Sequence, residues 1–356
     1  MKRRRHLIWQ SIIGCVISFA LVSCSSTRHL VEQKPEQGKA YRKLLKKLDW
    51  GTDTCYIYGH KTPDVDAATS ALSMATLMRA LGYNCKAKVS TPINRESAYI
   101  AGLFGFGLPE LKQSVLPDTR LILTDHTDYA QCVDGARQAI ILQKIDHHVE
   151  GDIADAGIPF VRREMVGSTN TIIYQMYKEL GVAIDDETAR IMLAGILSDT
   201  RNLSKSTTQR IDSVSWLALT TQLGLPADSV AKINKGMKDA SNDFTGMTDT
   251  EIFLSDYKDY EIGGHLIGIG SLDVKGDEIE AFIDRMLAVM PEVLTKMKRQ
   301  MVFAKIDVPK GTYFIYYGEG AQAVAEAIFG PSVRAGVTFT EQELSRKQIV
   351  PLIKKQ

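Results

Sequence analysis

The sequence predicts an α/β chain of two domains, a parallel sheet with crossover helices followed by a smaller C-terminal α/β domain. Three observations point there. Short, nearly continuous apolar runs at 55–58, 121–124 and 140–145 alternate with stretches whose apolar and small residues recur at helical spacing. Such runs suit strands covered by helices on both faces, the condition of a parallel sheet. Beyond Thr250 the pattern becomes two-residue alternation, and 356 residues exceed what one core ordinarily organises.

At the amino terminus, Lys2-Arg3-Arg4-Arg5-His6 precedes an apolar segment from Leu7 to Leu21, interrupted by Gln10 and Ser11. That is the layout of a signal peptide. Leu21-Val22-Ser23-Cys24 resembles a bacterial lipoprotein box, which implies removal of 1–23, a lipid on Cys24, and a body exported and anchored to a bacterial membrane. An uncleaved anchor helix is the alternative, for which the apolar run is short. The polar, lysine-rich stretch 24–48 reads as a tether, turning helical near Tyr41–Leu45.

The body has the composition of an ordinary globular protein, 44% hydrophobic and 24% charged, with net charge +1. This balance argues against a stable nucleic-acid partner, which needs a basic surface. Cys55, Cys85 and Cys132 are odd in number and irregularly spaced, so no disulfide framework is expected; Cys55 and Cys85 lie in strand-like runs as small core residues.

Taken in order, the first strand ends at Gly59 and a helix from near Asp66 runs to Leu81, stopping at Gly82. A strand at 86–90 and a helix at 96–104 lead to Leu121–Thr124, which ends in Asp125-His126. Ile140–Ile145 ends in Asp146-His147-His148. Gly167-Ser168-Thr169 opens a helix through Tyr177, and another from Asp186 to Leu197 precedes Ser198-Asp199-Thr200. Helical patterns at 208–223 and 227–238 complete a large domain, 49–238, and 239–249 reads as a hinge. In the small domain, 250–356, Glu251–Tyr260 and His265–Leu272 read as a hairpin across Gly263-Gly264. A helix from Asp277 to Lys298, strands at 302–307 and 312–317, a helix at 322–329 and a strand near Val337 follow.

Chemistry gathers at the ends of these elements. His60, Asp64 and Asp66 fall within seven residues after the first strand, at the carboxyl edge where open α/β sheets bind ligands. Asp125/His126, Asp146/His147/His148 and Asp199 repeat the pattern on three further segments, and four of the seven histidines lie in them. Capping and turn formation account for one such segment, not four. Carboxylates that can bridge two cations, with imidazoles beside them, point to a two-metal centre for borderline ions such as Mn²⁺ or Co²⁺ rather than an all-oxygen Mg²⁺ site.

The segments G-H-K-T-P-D-V-D, T-D-H, I-D-H-H, G-I-L-S-D-T and the late S-R-K-Q-I-V-P resemble the family II, manganese-dependent inorganic pyrophosphatases of the DHH phosphoesterase superfamily, over Thr54 to Ile353. The resemblance implies a DHH metal-binding domain, with the small domain closing over the active site in the cleft between them. It implies two Mn²⁺ per site, with Co²⁺ an alternative and Mg²⁺ arriving with substrate. One metal would take His60, Asp64, Asp125 and Asp199, and the other Asp66, Asp125, His147 and Asp199. His148, Arg346 and Lys347 would bind phosphate, while Asp146 and His126 would orient the ligands. The expected reaction is hydrolysis of pyrophosphate to two phosphates by a metal-bridged hydroxide; a homodimer is compatible with it.

Two departures bear on specificity. Ser345-Arg346-Lys347-Gln348 is one lysine shorter than the family's signature, and Ser241–Thr248 has no lysine for substrate. Arg346 and Lys347 are then the only strong phosphate-binding candidates on the small domain, and weaker discrimination against longer or esterified phosphates is expected. The family's D-H-N is Asp125-His126-Thr127 here. Alternatives are an exopolyphosphatase, a nucleotide or oligonucleotide phosphoesterase, or a lipoprotein that binds metal or phosphate without turnover. Gly263-Gly264-His265 reads as a turn, not as a nuclease-type glycine motif.

Overall fold

A computed structural model describes residues 35–274, 278–342 and 344–356. The signal-peptide segment, Cys24 and the first part of the expected tether lie outside them. Among the described residues, no helix is long and apolar enough to cross a membrane.

The large sheet has six parallel strands: β1 (Cys55–Tyr58), β2 (Cys85–Val89), β3 (Glu110–Leu111), β4 (Arg120–Thr124), β5 (Ile140–Asp146) and β6 (Phe160–Arg163), in the order β3-β2-β1-β4-β5-β6. The chain leaves β1 toward one edge and returns at β4 to build the other. The crevice between the carboxyl ends of β1 and β4 is thus the switch point of the sheet. Behind it packs the helix Val65–Ala80, whose small and apolar residues bury Val65, Ala71, Met74, Leu77 and Met78 completely. Each large side chain buried there stabilises the fold by about 1.5–3 kcal/mol. Gly59 permits the close approach, since a Cβ on it would stand 2.4 Å from the Ala67 carbonyl oxygen.

The small domain holds a five-stranded mixed sheet: β7 (Tyr257–Ile262), β8 (His265–Asp273), β9 (Met301–Val308), β10 (Gly311–Gly318) and β11 (Val337–Thr340), in the order β11-β10-β9-β8-β7. Strands β8 and β9 are parallel, with the helix Ile279–Met297 between them in the chain, and the other pairs are antiparallel. Gly263 and Gly264 both take positive φ in the two-residue turn between β7 and β8, as the hairpin reading of that dipeptide requires.

Several expectations are corrected. The stretch read as a tether is a helix over Pro35–Leu45, tied to the large domain by buried Tyr41 and Leu45 and by the Tyr41 hydroxyl on Gln143. Its polar composition hid a narrow apolar stripe. Asp249–Leu254 is a helix rather than the start of the hairpin, because Thr248 and Glu251 form a capping box. The helix Ala227–Ser241 runs into the expected hinge, and Phe244 and Met247 pack on the small-domain core. Asp199 lies in the last turn of the helix Asp186–Thr200 instead of following it. The closing helix Arg346–Ile353 was not foreseen, although Ser345 and Gln348 spell its capping box.

Candidate metal centre

The helix Val65–Ala80 begins one residue earlier than expected, because Asp64 rather than Asp66 caps it: the Ala67 N–H donates to Asp64 Oδ1 at 3.0 Å. Its other oxygen, Oδ2, faces His60 Nε2 at 3.0 Å and the Lys258 ammonium at 3.3 Å. Asp66 then lies in the first turn of the helix and is fully buried. The start of the helix Thr169–Leu180 holds it: Ser168 Oγ and Asn170 Nδ2 donate to Oδ1 at 2.6 and 2.8 Å, and the Thr169 N–H donates to Oδ2 at 2.7 Å. Burial, with the nearby charges of Asp125 and Asp199, pushes the Asp66 carboxyl up to about 7.

Asp125 follows β4 with φ of 62°, a left-handed backbone unusual for a residue with a side chain. That conformation sets its carboxylate between two imidazoles. Oδ2 is 3.5 Å from His60 Nε2, and Oδ1 is 3.1 Å from His147 Nε2, with the Thr169 hydroxyl also donating to Oδ1. His147 Nδ1 lies 3.0 Å from the Val166 carbonyl and must donate to it, which aims Nε2 at the carboxylates. Asp199 Oδ2 lies 3.1 Å from the same Nε2. Burial and the Lys347 ammonium both push the His147 imidazolium down, yet Asp125 and Asp199 outweigh them and hold it up at about 10.

Six of the expected ligands therefore converge. Ligand atoms of Asp66, Asp125, His147 and Asp199 lie within 4.8 Å of one another, as do those of His60, Asp64 and Asp125. Only Asp125 belongs to both of these groups; Asp199 joins Asp66 and His147 but not His60 and Asp64, and is drawn toward Lys347. The donor set fits divalent metals on an observation independent of spacing. His60 is buried, and neither ring nitrogen has a partner at hydrogen-bonding geometry, a costly arrangement unless a cation takes the lone pair.

Around the centre, Asp146 grips His148, accepting from its N–H at 2.7 Å and from Nδ1 at 2.9 Å. Burial would raise the Asp146 carboxyl, but the two histidines hold it well below the usual range. His148 itself is pushed down to about 4, chiefly by burial, so the ring is neutral near pH 7. His126 is buried next to Asp125 and lines the cleft. Its Nδ1 meets the Thr124 carbonyl at 2.8 Å and its Nε2 lies 3.2 Å from Cys132 Sγ, so it steadies the backbone that carries Asp125.

Across a cleft of about 1150 Å³ stands a basic wall. Lys347 Nζ sits 2.6 Å from His147 Nε2 and 3.0 Å from Asp199 Oδ2, a monovalent cation against two metal-binding atoms. Arg346 bonds the carboxylate and carbonyl of Asp256, and a second carbonyl at Ile269. The expectation that only these two cations serve the small domain is wrong. Lys258 on β7 and Lys305 on β9 reach the same cleft, and Lys205 and Arg201 enter it from the loop after Asp199. Ser241–Thr248 indeed lacks a lysine, but strand residues supply the charge. Two-residue alternation from Tyr257 onward was the signal that could have placed Lys258.

Comparison with known proteins agrees with this arrangement. Residues 54–196 match the DHH family, N-terminal domain, and residues 235–356 match the DHHA2 domain. The chain is 32% identical, over 84% of its length and 97% of the relative's, to a manganese-dependent inorganic pyrophosphatase of Methanothrix thermoacetophila. It is 30% identical, over 84% of its length and 96% of the relative's, to a probable manganese-dependent inorganic pyrophosphatase of Clostridium acetobutylicum. The crystal structure of a putative family II inorganic pyrophosphatase from Methanococcus jannaschii superposes with a TM-score of 0.75 at 25% identity, covering 85% of this chain and 98% of that one.

Proposed function

The chain belongs to the DHH-domain family that includes the manganese-dependent inorganic pyrophosphatases, and from that premise we propose that it hydrolyses inorganic pyrophosphate to two phosphates. The observation that carries this reading is one cleft with a buried cluster of four carboxylates and two imidazoles behind one side, reaching the lining through Asp64 and Asp199, and ammonium and guanidinium groups on the other. His60, Asp64 and Asp125 would hold one manganese, and Asp66, Asp125, His147 and Asp199 the other, Asp199 joining the first once released from Lys347. When bound, manganese there supplies an acidified water as nucleophile and offsets charge on the phosphoryl group.

The chain's own residues account for the rest. Lys347 and Lys258, each now paired with a ligand carboxylate, have phosphate oxygens as their alternative partners when metal takes those carboxylates. Both then face the charge that spreads over the transferring group, where positive groups act most strongly. Arg346, clamped on Asp256, keeps its charge in the cleft and fixes the first turn of the closing helix. With Nδ1 donating to Asp146, His148 keeps Nε2 as the ring's acceptor, and Asp146 stabilises the charged ring when that nitrogen takes up a proton.

The test is phosphate release by the purified soluble protein with Mn²⁺, against pyrophosphate, tripolyphosphate, an adenosine bisphosphate and a dinucleotide. Release from the dinucleotide or bisphosphate alone would overturn the anhydride reading, and no release from any would leave a binding protein.

We further propose that the mature protein is exported and lipid-anchored through Cys24, on the strength of the basic start, the apolar run and Leu21-Val22-Ser23-Cys24. Cys24→Ser should release or mislocalise it. Recovery of unmodified chain, Met1 included, from the cytosol of its natural host would sink this idea.

A further inference from the structure

Alternation along β7, β8 and β9 divides the small-domain sheet into two faces. Leu272, Ala304 and Ile306 turn to the helix Ile279–Met297, while Ser271, Asp273, Lys305 and Asp307 point the other way, paired across β8 and β9 as Ser271 with Lys305 and Asp273 with Asp307. On that second face, one end is apolar and covered by the helices Ala321–Phe329 and Arg346–Ile353. The other end opens into the cleft and carries the charges.

One ammonium there has no carboxylate of its own among the described residues. Asp307 is buried and its carboxylate meets two cations, Lys305 beside it and Arg201 from the large domain at 3.4 Å, with the Thr312 hydroxyl donating at 2.9 Å. Lys205 is a third cation in this corner, and among the described residues its ammonium has no carboxylate at ion-pair distance. Burial, and the repulsion of Lys347, Arg201 and Lys305, hold the Lys205 ammonium below its usual range despite Asp199; Lys305 is likewise pushed down, chiefly by burial. Like charges gathered in a cleft have a physical complement in a multivalent anion. Lys205 lines the cleft together with Asp199, of the metal centre, and Lys305, on the far sheet. The cleft exceeds the volume of pockets that enclose drug-sized ligands, which leaves room beyond two phosphates.

We propose that Lys205 and Lys305 form a second anion subsite beyond the metal centre, one that takes the third phosphate of a linear condensed phosphate. It rests on the phosphohydrolase reading above and widens the substrate class to short polyphosphates. With tripolyphosphate, the oxygen of water bonds to the terminal phosphorus as its bond to the bridging oxygen breaks. One proton of the water stays on the released phosphate and the other passes to solvent or to the departing pyrophosphate, whose outer phosphate the subsite holds.

Steady-state kinetics with Mn²⁺ on pyrophosphate and tripolyphosphate, for the wild-type protein, Lys205→Gln and Lys205→Arg, test this together with equilibrium binding of the non-hydrolysable imidodiphosphate and diimidotriphosphate. In Lys205→Gln the ratio of kcat/KM for tripolyphosphate to that for pyrophosphate should fall about ten- to a hundredfold, the worth of one charge-assisted contact, and Lys205→Arg should restore most of it. The wild-type preference for the triphosphate analogue should vanish in Lys205→Gln alone. An unchanged ratio, with no such preference in the wild type, overturns the subsite while leaving pyrophosphate hydrolysis standing. If the wild type turns over neither anion but binds the triphosphate analogue more tightly through Lys205, the catalytic reading fails and the subsite survives.

Discussion

Asp125 is the residue on which the centre turns. One carboxylate oxygen faces each imidazole, its backbone is left-handed, and it alone belongs to both ligand groups. Asp125→Asn keeps the shape and removes the charge, so it should lose tightly bound Mn²⁺ from both positions and lower turnover at least a hundredfold; metal analysis and phosphate release on one preparation check this. Near full metal content in that variant would remove Asp125 as the bridge. A second residue tests burial without chemistry. Glu96, hydrogen-bonded by the Ser198 hydroxyl, is pushed by burial up to about 7 from an ordinary value near 4.5. A raised carboxyl favours the fold while it is protonated, so this contribution is whole below about pH 4.5 and is lost as pH rises through 7. Glu96→Gln should therefore match the wild type in thermal denaturation at pH 4.5 and exceed it at pH 8, both in chelator. A constant gap across that range would refute the assignment.

At the scale of elements, the site depends on how closely three helices meet. Gly195, inside the helix Asp186–Thr200, faces the Asp66 network, where an added Cβ would fall 2.2 Å from Asn170 Nδ2 and 2.7 Å from Asp66 Oδ1. The helix is buried along most of its length and cannot back away without opening the core. Gly195→Ala should weaken Mn²⁺ binding about ten- to a hundredfold, as disturbed support around a ligand does, although alanine is the better helix former. Metal titration against the wild type decides it, and unchanged affinity would mean that the network yields without moving Asp66.

Across the whole molecule, the domains meet through charge. Lys258 with Asp64, Lys347 with Asp199, Arg201 with Asp307 and Arg137 with Glu261 all link the two domains. Two of these pairs use proposed metal ligands, so metal and small-domain lysines compete for the same carboxylates until phosphate arrives. Lys347→Ala should cost about ten- to a hundredfold in kcat/KM, while Mn²⁺ affinity holds or rises because the competing ammonium is gone. Loss of metal affinity in that variant would contradict the competition. Arg346 differs in kind: its guanidinium is spent on Asp256 and two carbonyls, so it acts by placing the helix as well as by charge.

The sequence by itself determined the class of fold and the list of candidate ligands. Buried parallel strands need unbroken apolar runs, and metal ligands at their carboxyl ends are local features that survive in one dimension, as at 55–66, 121–126 and 140–148. Tertiary structure alone decided what depends on partners far away in the chain. Pro35–Leu45 looked like a tether because its few apolar residues acquire meaning only against the large domain, where Tyr41 meets Gln143. How His126 supports Asp125, through the Thr124 carbonyl with Cys132 at its other nitrogen, also needed the folded loop. The basic wall was misjudged for the same reason: Lys205, Lys258 and Lys305 sit on three separate segments with no shared motif, and only the packing of a loop against one face of a distant sheet brings their charges into one cleft.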